Sequence, residues 1–196
     1  MVNRPTVGVV ALQGGVREHM ELLESLCATA RPLRRPDDLL GPDGLRVDAV
    51  VLPGGESSTI DRLLSLFGLG EPLREAIAAG LPTLGTCAGL IQLASRIEDP
   101  APGQGSFGVL DVTVRRNAFG RQVDSAEVEL DTSWGPARVA FIRAPEVVSS
   151  GASVTSIARR GEHVVAVSQG AITGISFHPE LTGETLFHRR LLASVS

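Results

Sequence analysis

The amino-acid sequence predicts an α/β protein: a three-layer αβα sandwich around a mostly parallel sheet, with an antiparallel extension in the second half of its 196 residues. Apolar, strand-like runs that end in glycine turns and pass into helically spaced apolar residues recur before residue 100. Repeated strand–turn–helix units stack as a parallel sheet with helices on both faces. Beyond residue 105 the pattern changes to short strands. The composition, 43% hydrophobic and 20% charged, is enough to bury a sizeable core without metals or disulfides. No internal repeat, low-complexity tract or linker divides the chain, so residues 1–196 are expected to form a single domain.

The first unit opens with residues 6–12 (TVGVVAL), β-branched and uncharged, turns at Gln13, Gly14 and Gly15, and continues as an amphipathic stretch over residues 16–26. The second runs from residues 48–52 (DAVVL) through Pro53, Gly54 and Gly55 into a helix whose Ile60, Leu63, Leu64 and Phe67 keep helical spacing. In the third, residues 81–85 make a short strand, 86–89 a tight turn and 90–97 a helix. These glycine turns fall at the carboxyl edge of the sheet, where open α/β folds bind their ligands. After the Pro/Gly-rich residues 99–105, strands are expected over 109–115, 125–130, 137–142, 163–169 and 172–177, closed by a helix over 184–193.

Composition also excludes. A formal net charge of −4 argues against a nucleic-acid surface, which draws on clustered positive charge. No apolar run approaches the ~20 residues that span a bilayer, and residues 1–5 lead straight into a strand and not into a signal-peptide core. A cytoplasmic protein without membrane contact is the expectation. All 18 Lys+Arg residues are arginine, so no side-chain amine can form an imine with a carbonyl substrate. Cys27 is assigned to structure as a buried cysteine, the common fate of the residue type.

Gly85-Thr86-Cys87-Ala88-Gly89 is the cysteine form of the nucleophile elbow, where small neighbours let a strand turn sharply into a helix with the nucleophile at the apex. The positive end of that helix favours thiolate over thiol, and its free backbone N–H groups, beginning with Ala88, suit a developing oxyanion. A core cysteine is the ordinary alternative. Of the histidines His19, His163, His178 and His188, His178 stands out because it follows an apolar strand and precedes Pro179, with Glu180 two residues on. In extended chain those two side chains project to one side, so Glu180 can accept from one imidazole nitrogen while the other faces the cysteine. That is the logic of nucleophile, base and orienting acid. Around Pro53-Gly54-Gly55-Glu56-Ser57-Ser58 the glycines let backbone N–H groups approach a ligand, and Ser57 or Ser58 is expected to cap the helix.

These elements resemble the class I (triad) glutamine amidotransferases. The segments Leu12-Gln13-Gly14-Gly15-Val16-Arg17-Glu18-His19, Gly54-Gly55-Glu56-Ser57, Gly85-Thr86-Cys87-Ala88-Gly89-Leu90-Ile91, Arg116-Asn117-Ala118-Phe119-Gly120-Arg121-Gln122, Phe141-Ile142-Arg143-Ala144-Pro145 and Ser176-Phe177-His178-Pro179-Glu180-Leu181-Thr182 narrow the resemblance. In that order, and across nearly the whole chain, they are similar to the glutaminase subunits of pyridoxal 5'-phosphate synthase. Ala126 departs from the pattern, standing where a phenylalanine commonly follows the equivalent of Asp124-Ser125.

The resemblance implies a glutaminase that hydrolyses L-glutamine through a thioester, with Cys87, His178 and Glu180 as the triad. Gly55 and Ala88 would serve the oxyanion, and Gly55, Glu56, Ser57, Arg116, Ile142 and Arg143 would bind glutamine. It implies no metal and no cofactor in this chain, and a partner synthase (lyase) subunit whose own lysines capture carbonyl substrates. The loop at Gln13-Gly14 is expected to help in docking or in completing the oxyanion site, since it shares the sheet edge with the elbow. Other readings are a glutaminase serving another acceptor, a DJ-1/protease-like relative, or a binding subunit that lost catalysis. Ala88 following Cys87 speaks against the second, because those relatives usually carry histidine there.

Overall fold

Alternation along the first strand decides where the core lies. In the computed structural model, which describes residues 4–118 and 126–195, strand β1 (Thr6–Val10) sends Val7 and Val9 into one apolar cluster and Val10 into the other. Such alternation is the period-2 signature of a sheet covered on both faces. The chain continues through α1 (Val16–Ser25), β2 (Thr29–Leu33), α2 (Pro36–Leu39) and a small hairpin, β3 (Leu40–Gly41) with β4 (Gly44–Leu45). It goes on to β5 (Ala49–Leu52), α3 (Ser57–Leu66), α4 (Gly70–Ala78), β6 (Thr83–Thr86) and α5 (Ala88–Leu93). Strands β7 (Ala94–Glu98), β8 (Leu110–Arg115), β9 (Ala126–Thr132), β10 (Gly135–Phe141), β11 (Glu146–Ser150), β12 (Thr155–Arg160), β13 (His163–Gln169) and β14 (Ile172–Ile175) follow. A 3-10 turn (Pro179–Leu181) and α6 (Leu186–Ala193) close the chain.

Strands β2, β1, β5, β6 and β14 pair in parallel in that order, and β13, β12, β9 and β10 extend the same sheet antiparallel. Near its start β13 also pairs with β11, which carries β8 and β7 beside it. Leu23 of α1 and Phe187 and Leu191 of α6 pack into one cluster, against Val7, Val9, Ala49 and Val51. Ile60 and Leu64 of α3, Leu73 and Ile77 of α4 and Leu90 and Leu93 of α5 pack into the other, against Val50 and Leu52. The expected three layers, and the parallel sheet with its antiparallel extension, are thus observed. The parallel register sets Val51 beside Leu84 and Thr86 beside Ile175, so the chain leaves β1, β5, β6 and β14 along one edge.

Several boundaries differ from expectation. Residues 90–97 do not form one helix: α5 stops at Leu93, Ala94 takes an extended ψ of 149°, and residues 94–98 form β7. The spacing of Leu90, Ile91, Ala94 and Ile97 is helical, but β8 offers those residues a parallel ladder in which Ile97 meets Val114. Tertiary pairing wins over local periodicity there. The strand expected over 172–177 ends at Ile175. Cys27 is exposed, not buried, and sits at φ 63° in the turn that ends α1, where its N–H bonds to the Glu24 carbonyl. Of the segments singled out above, residues 1–3 and 119–125, which include Phe119, Gly120, Arg121, Gln122, Asp124 and Ser125, lie outside the described residues. No helix among the described residues is long and apolar enough to cross a membrane.

The approach of α5 to β5 and β6 leaves no room for a side chain at either of two glycines. A Cβ on Gly89 would stand 2.1 Å from the Leu52 carbonyl oxygen, and one on Gly85 would stand 2.5 Å from Leu93 Cδ1. Because the Leu52 carbonyl is backbone and cannot swing aside, Gly89→Ala is expected to destabilise the chain by roughly 1–3 kcal/mol. Urea unfolding checks it: the midpoint should fall well below that of Ser65→Ala, an exposed change on α3, which should stay near wild type.

Candidate active site

Where β6 meets α5, the corner is made by one residue. Thr86 ends the strand, Ala88 begins the helix, and Cys87 between them takes φ 48° and ψ −102°. A side-chain-bearing residue in such a conformation costs on the order of 1–3 kcal/mol and persists only where its surroundings over-determine it. Here the Cys87 N–H donates to the Ile175 carbonyl of β14 at 2.8 Å, and its carbonyl accepts from Ile91. Ala88, in the first turn of α5, has no intrahelical acceptor for its N–H.

His178 reaches the elbow from the other side. Its backbone exchanges hydrogen bonds with Ala140 of β10, at 2.8 Å for its own N–H, so the residue is anchored although β14 has ended. The backbone then enters the 3-10 turn and does not run on extended, yet the expected contact forms: His178 Nδ1 lies 2.8 Å from Glu180 Oε1. Cys87 stands beside the same ring, since both flank Gly54, and with Nδ1 on the carboxylate it is Nε2 that is left to serve the sulfur. Burial works against the imidazolium; hydrogen bonds to Cys87 and Glu180 and the charges of both outweigh it and hold the His178 pKa up to about 10. Gly54 packs flat against the pair, since a Cβ there would come within 2.2 Å of His178 Cε1 and 3.2 Å of Cys87 Cβ.

A cleft of about 420 Å³ opens over this corner. Cys87, His178, Glu180, Gly55, Glu56, Ser57, Arg116, Ile142 and Arg143 all line it, as do Gln13 and Gly14. Ala88 does not line it and touches the site only through its place after Cys87. The wall also includes Glu18, Ile91, Asn117 and Leu181, which motif reasoning had not assigned. Cys87, Asn117 and Arg143, at φ 48°, 50° and 44°, are three strained positions on one cleft wall. Asparagine after an arginine was the visible hint, because asparagine tolerates the left-handed region.

The charged wall is held in place before any ligand arrives. Glu56, not Ser57 or Ser58, caps α3: its carboxylate accepts from the N–H of Thr59 at 2.7 Å and of Ser58 at 3.3 Å, and from the Ser58 hydroxyl. Burial opposes ionisation there, but the hydrogen bonds from Ser58 and Thr59 win and hold the carboxyl down to about 2. The serines sit one and two residues too late to reach their own helix's free N–H groups, and Ser57 instead accepts from Gln104 at 3.0 Å. Gln104 in turn accepts from Arg116 at 2.9 Å, and Arg116 stands 3.4 Å from Glu56. The Gln13 side chain accepts from the Glu56 N–H at 2.8 Å, tying the first glycine turn to the second. Among the described residues no group of three or more metal-ligating side chains is set to hold an ion.

A cysteine elbow with a histidine–carboxylate pair, at the carboxyl edge of a parallel sheet, is the architecture of the glutamine amidotransferases. The crystal structure of a glutamine amidotransferase matches this chain with a TM-score of 0.87 and 43% identity, covering 95% of this chain and 97% of that one. PurLQS from Thermotoga maritima, at 16% identity and a TM-score of 0.62, shares the fold alone. Residues 9–195 match the family model, and the chain belongs to the SNO glutamine amidotransferase family. It is 55% identical over 189 residues to the pyridoxal 5'-phosphate synthase subunit PdxT of Corynebacterium diphtheriae, covering 96% of this chain and 99% of that protein. The subunit of the same name from Acidothermus cellulolyticus is 52% identical over 202 residues, covering 99% and 95%.

Two further buried histidines oppose His178 in their response to pH. Burial, with the neighbouring charges of His188 and His178, pushes the His19 pKa well below its usual value, and burial lowers His188 to about 4. These rings stay neutral when folded but take up protons when unfolded, so stability falls as pH drops from about 6.5 towards 4. His178 holds its proton more tightly when folded; its contribution is complete below about 6.5 and is lost as pH rises through about 10. Denaturation midpoints plotted against pH should therefore peak near neutrality, and His178→Gln should flatten the alkaline side while sparing the acid side.

Proposed function

We propose that this chain, acting as a single domain over residues 1–196, is the glutaminase of a pyridoxal 5'-phosphate synthase, hydrolysing L-glutamine at Cys87 and passing ammonia to a synthase subunit. The observation that carries the reading is Cys87 held at a strained corner beside a His178 that is itself fixed on Glu180, inside a cleft lined by Arg143, a fixed Arg116 and a fixed Glu56 carboxylate.

The substrate's α-carboxylate pairs with Arg116 and Arg143, and its α-ammonium meets Glu56, whose depressed pKa keeps it charged. Gly55, Ser57 and Ile142 shape the remainder of the wall. The Cys87 sulfur attacks the side-chain carboxamide carbon, and the oxyanion takes backbone N–H groups from Ala88 and Gly55. His178 protonates the departing nitrogen, releasing ammonia and leaving a thioester. The neutral imidazole then takes a proton from water, which attacks the thioester; collapse returns the thiol and gives glutamate. Glu180 holds the imidazole tautomer and steadies the imidazolium throughout. The hydrolysis itself calls on no cofactor.

Ammonia released into water is protonated and lost, so such a cleft works in a complex whose second subunit consumes it. The lysine-free sequence places any imine chemistry on that subunit. The relatives named as pyridoxal 5'-phosphate synthase subunits support this acceptor over other amidotransferase products, and a cytoplasmic location fits the two-subunit reaction. Gln13 and Gly14, bonded and packed onto the Gly54–Glu56 turn, are suited to transmit docking to the oxyanion donors.

Glutamate release by the purified chain, measured with and without the synthase subunit, tests the proposal. Hydrolysis should rise with the synthase and fall at least about a thousandfold in Cys87→Ala. No glutamate in either condition would refute it. Arg116→Ala should raise KM for glutamine roughly tenfold to a hundredfold, the worth of a charge-assisted hydrogen bond, with a much smaller change in kcat; an unchanged KM would remove Arg116 from the binding set.

A further inference from the structure

Behind Glu180, out of reach of the cleft, lie two histidines that the proposed chemistry does not use. His19 on α1 and His188 on α6 are both 0% exposed. His19 Nδ1 lies 2.8 Å from His188 Nε2, and His19 Nε2 lies 3.3 Å from the Thr86 hydroxyl and 3.4 Å from Glu180 Oε2. The last contact falls short of a hydrogen bond, and among the described residues no donor satisfies that oxygen. The Glu180 side chain is 1% exposed, so a carboxylate oxygen without a donor there would bear the full cost of desolvation.

Proton counting fixes the direction of this chain of contacts. Burial keeps both rings neutral, so each carries one proton. A proton on His19 Nδ1 would aim a bare nitrogen at the Glu180 carboxylate and force the His188 proton onto Nδ1, a buried atom with no partner among the described residues. With the proton on Nε2, His19 donates towards Glu180 and accepts from His188, and only a bare nitrogen on His188 is left over. A bare imidazole nitrogen is the cheaper loss, since an unmet N–H and a repelled carboxylate are both avoided. Glu180 then has His178 on one oxygen and the His19 N–H facing the other from 3.4 Å, and the same nitrogen lies 3.3 Å from the hydroxyl of Thr86, the residue before Cys87.

We propose that His19, its tautomer set by His188, is a positioning residue that fixes the Glu180 carboxylate behind His178 during glutamine hydrolysis. The proposal rests on the reading of Cys87, His178 and Glu180 as the reacting triad.

Steady-state hydrolysis by the complex with the synthase subunit tests it in wild type, Cys87→Ala, His19→Gln and His19→Asn, with thermal unfolding recorded for each. A glutamine amide reaches about as far as imidazole Nε2, and an asparagine amide is one methylene shorter. In His19→Asn kcat should fall roughly tenfold to a hundredfold, the scale of a small misplacement at a reacting centre, with KM changed by no more than about twofold. His19→Gln should recover most of the loss. Equal kcat in the two amide variants, or wild-type kcat in His19→Asn, overturns the proposal. If neither variant folds, the contrast moves to α6, where His188→Gln keeps the donor to His19 and should lose less kcat than His188→Leu; equal losses overturn it. A wild type no faster than Cys87→Ala would remove the triad reading, and this proposal with it.

Discussion

The backbone of Cys87 is the constraint on which the rest depends. A strand that must become a helix within one residue cannot keep ordinary dihedral angles, and φ 48° with ψ −102° is the result. The corner is tolerated because Gly85 lets α5 press against β6 and Gly89 lets it press against β5, and because β14 takes the Cys87 N–H. Parallel pairing of β5, β6 and β14 then brings the Pro53–Glu56 turn and the His178–Glu180 segment to the same edge without further design. The cleft is a consequence of sheet register, and its chemistry follows from which residues stand at the strand ends.

Charge in the site is arranged so that little needs to move. Glu56 is both helix cap and cleft wall, so its position is set by the backbone of α3 and not by a ligand. Arg116 is fixed by Gln104 and Glu56. His178 is held towards its protonated form between the Glu180 carboxylate and the Cys87 sulfur, while His19 and His188 behind it are kept neutral by burial. Groups of one residue type thus hold different protonation states within a few ångströms, as environment and not identity dictates.

Much of this was legible beforehand, and the failures have physical reasons. Val7, Val9 and Val10 announced a sheet covered on both faces, and the elbow glycines announced the corner, because those signals are local. Residues 94–98 were misleading because a helical spacing of apolar residues says nothing about a strand waiting fifteen or so residues on, as β8 does. Cys27 was misplaced by a rule about its residue type, whereas its real setting is the exposed left-handed turn after α1. The cap on α3 was given to a serine although a glutamate one residue earlier had better reach. The His19–His188 pair was invisible for a different reason: its partners lie 169 positions apart, and no local pattern encodes that contact.

The central claim, that Cys87 is an activated thiol inside a glutamine-shaped cleft, is tested most directly by its own reactivity. A glutamine-like chloroketone would be added to the protein with and without excess L-glutamine, and the adduct located by intact-mass and peptide mass spectrometry. The exposed Cys27 provides an internal comparison. The account predicts one adduct, on the buried Cys87, formed faster than at Cys27 and suppressed by glutamine. Labelling confined to Cys27, or labelling of Cys87 that glutamine does not slow, would contradict it.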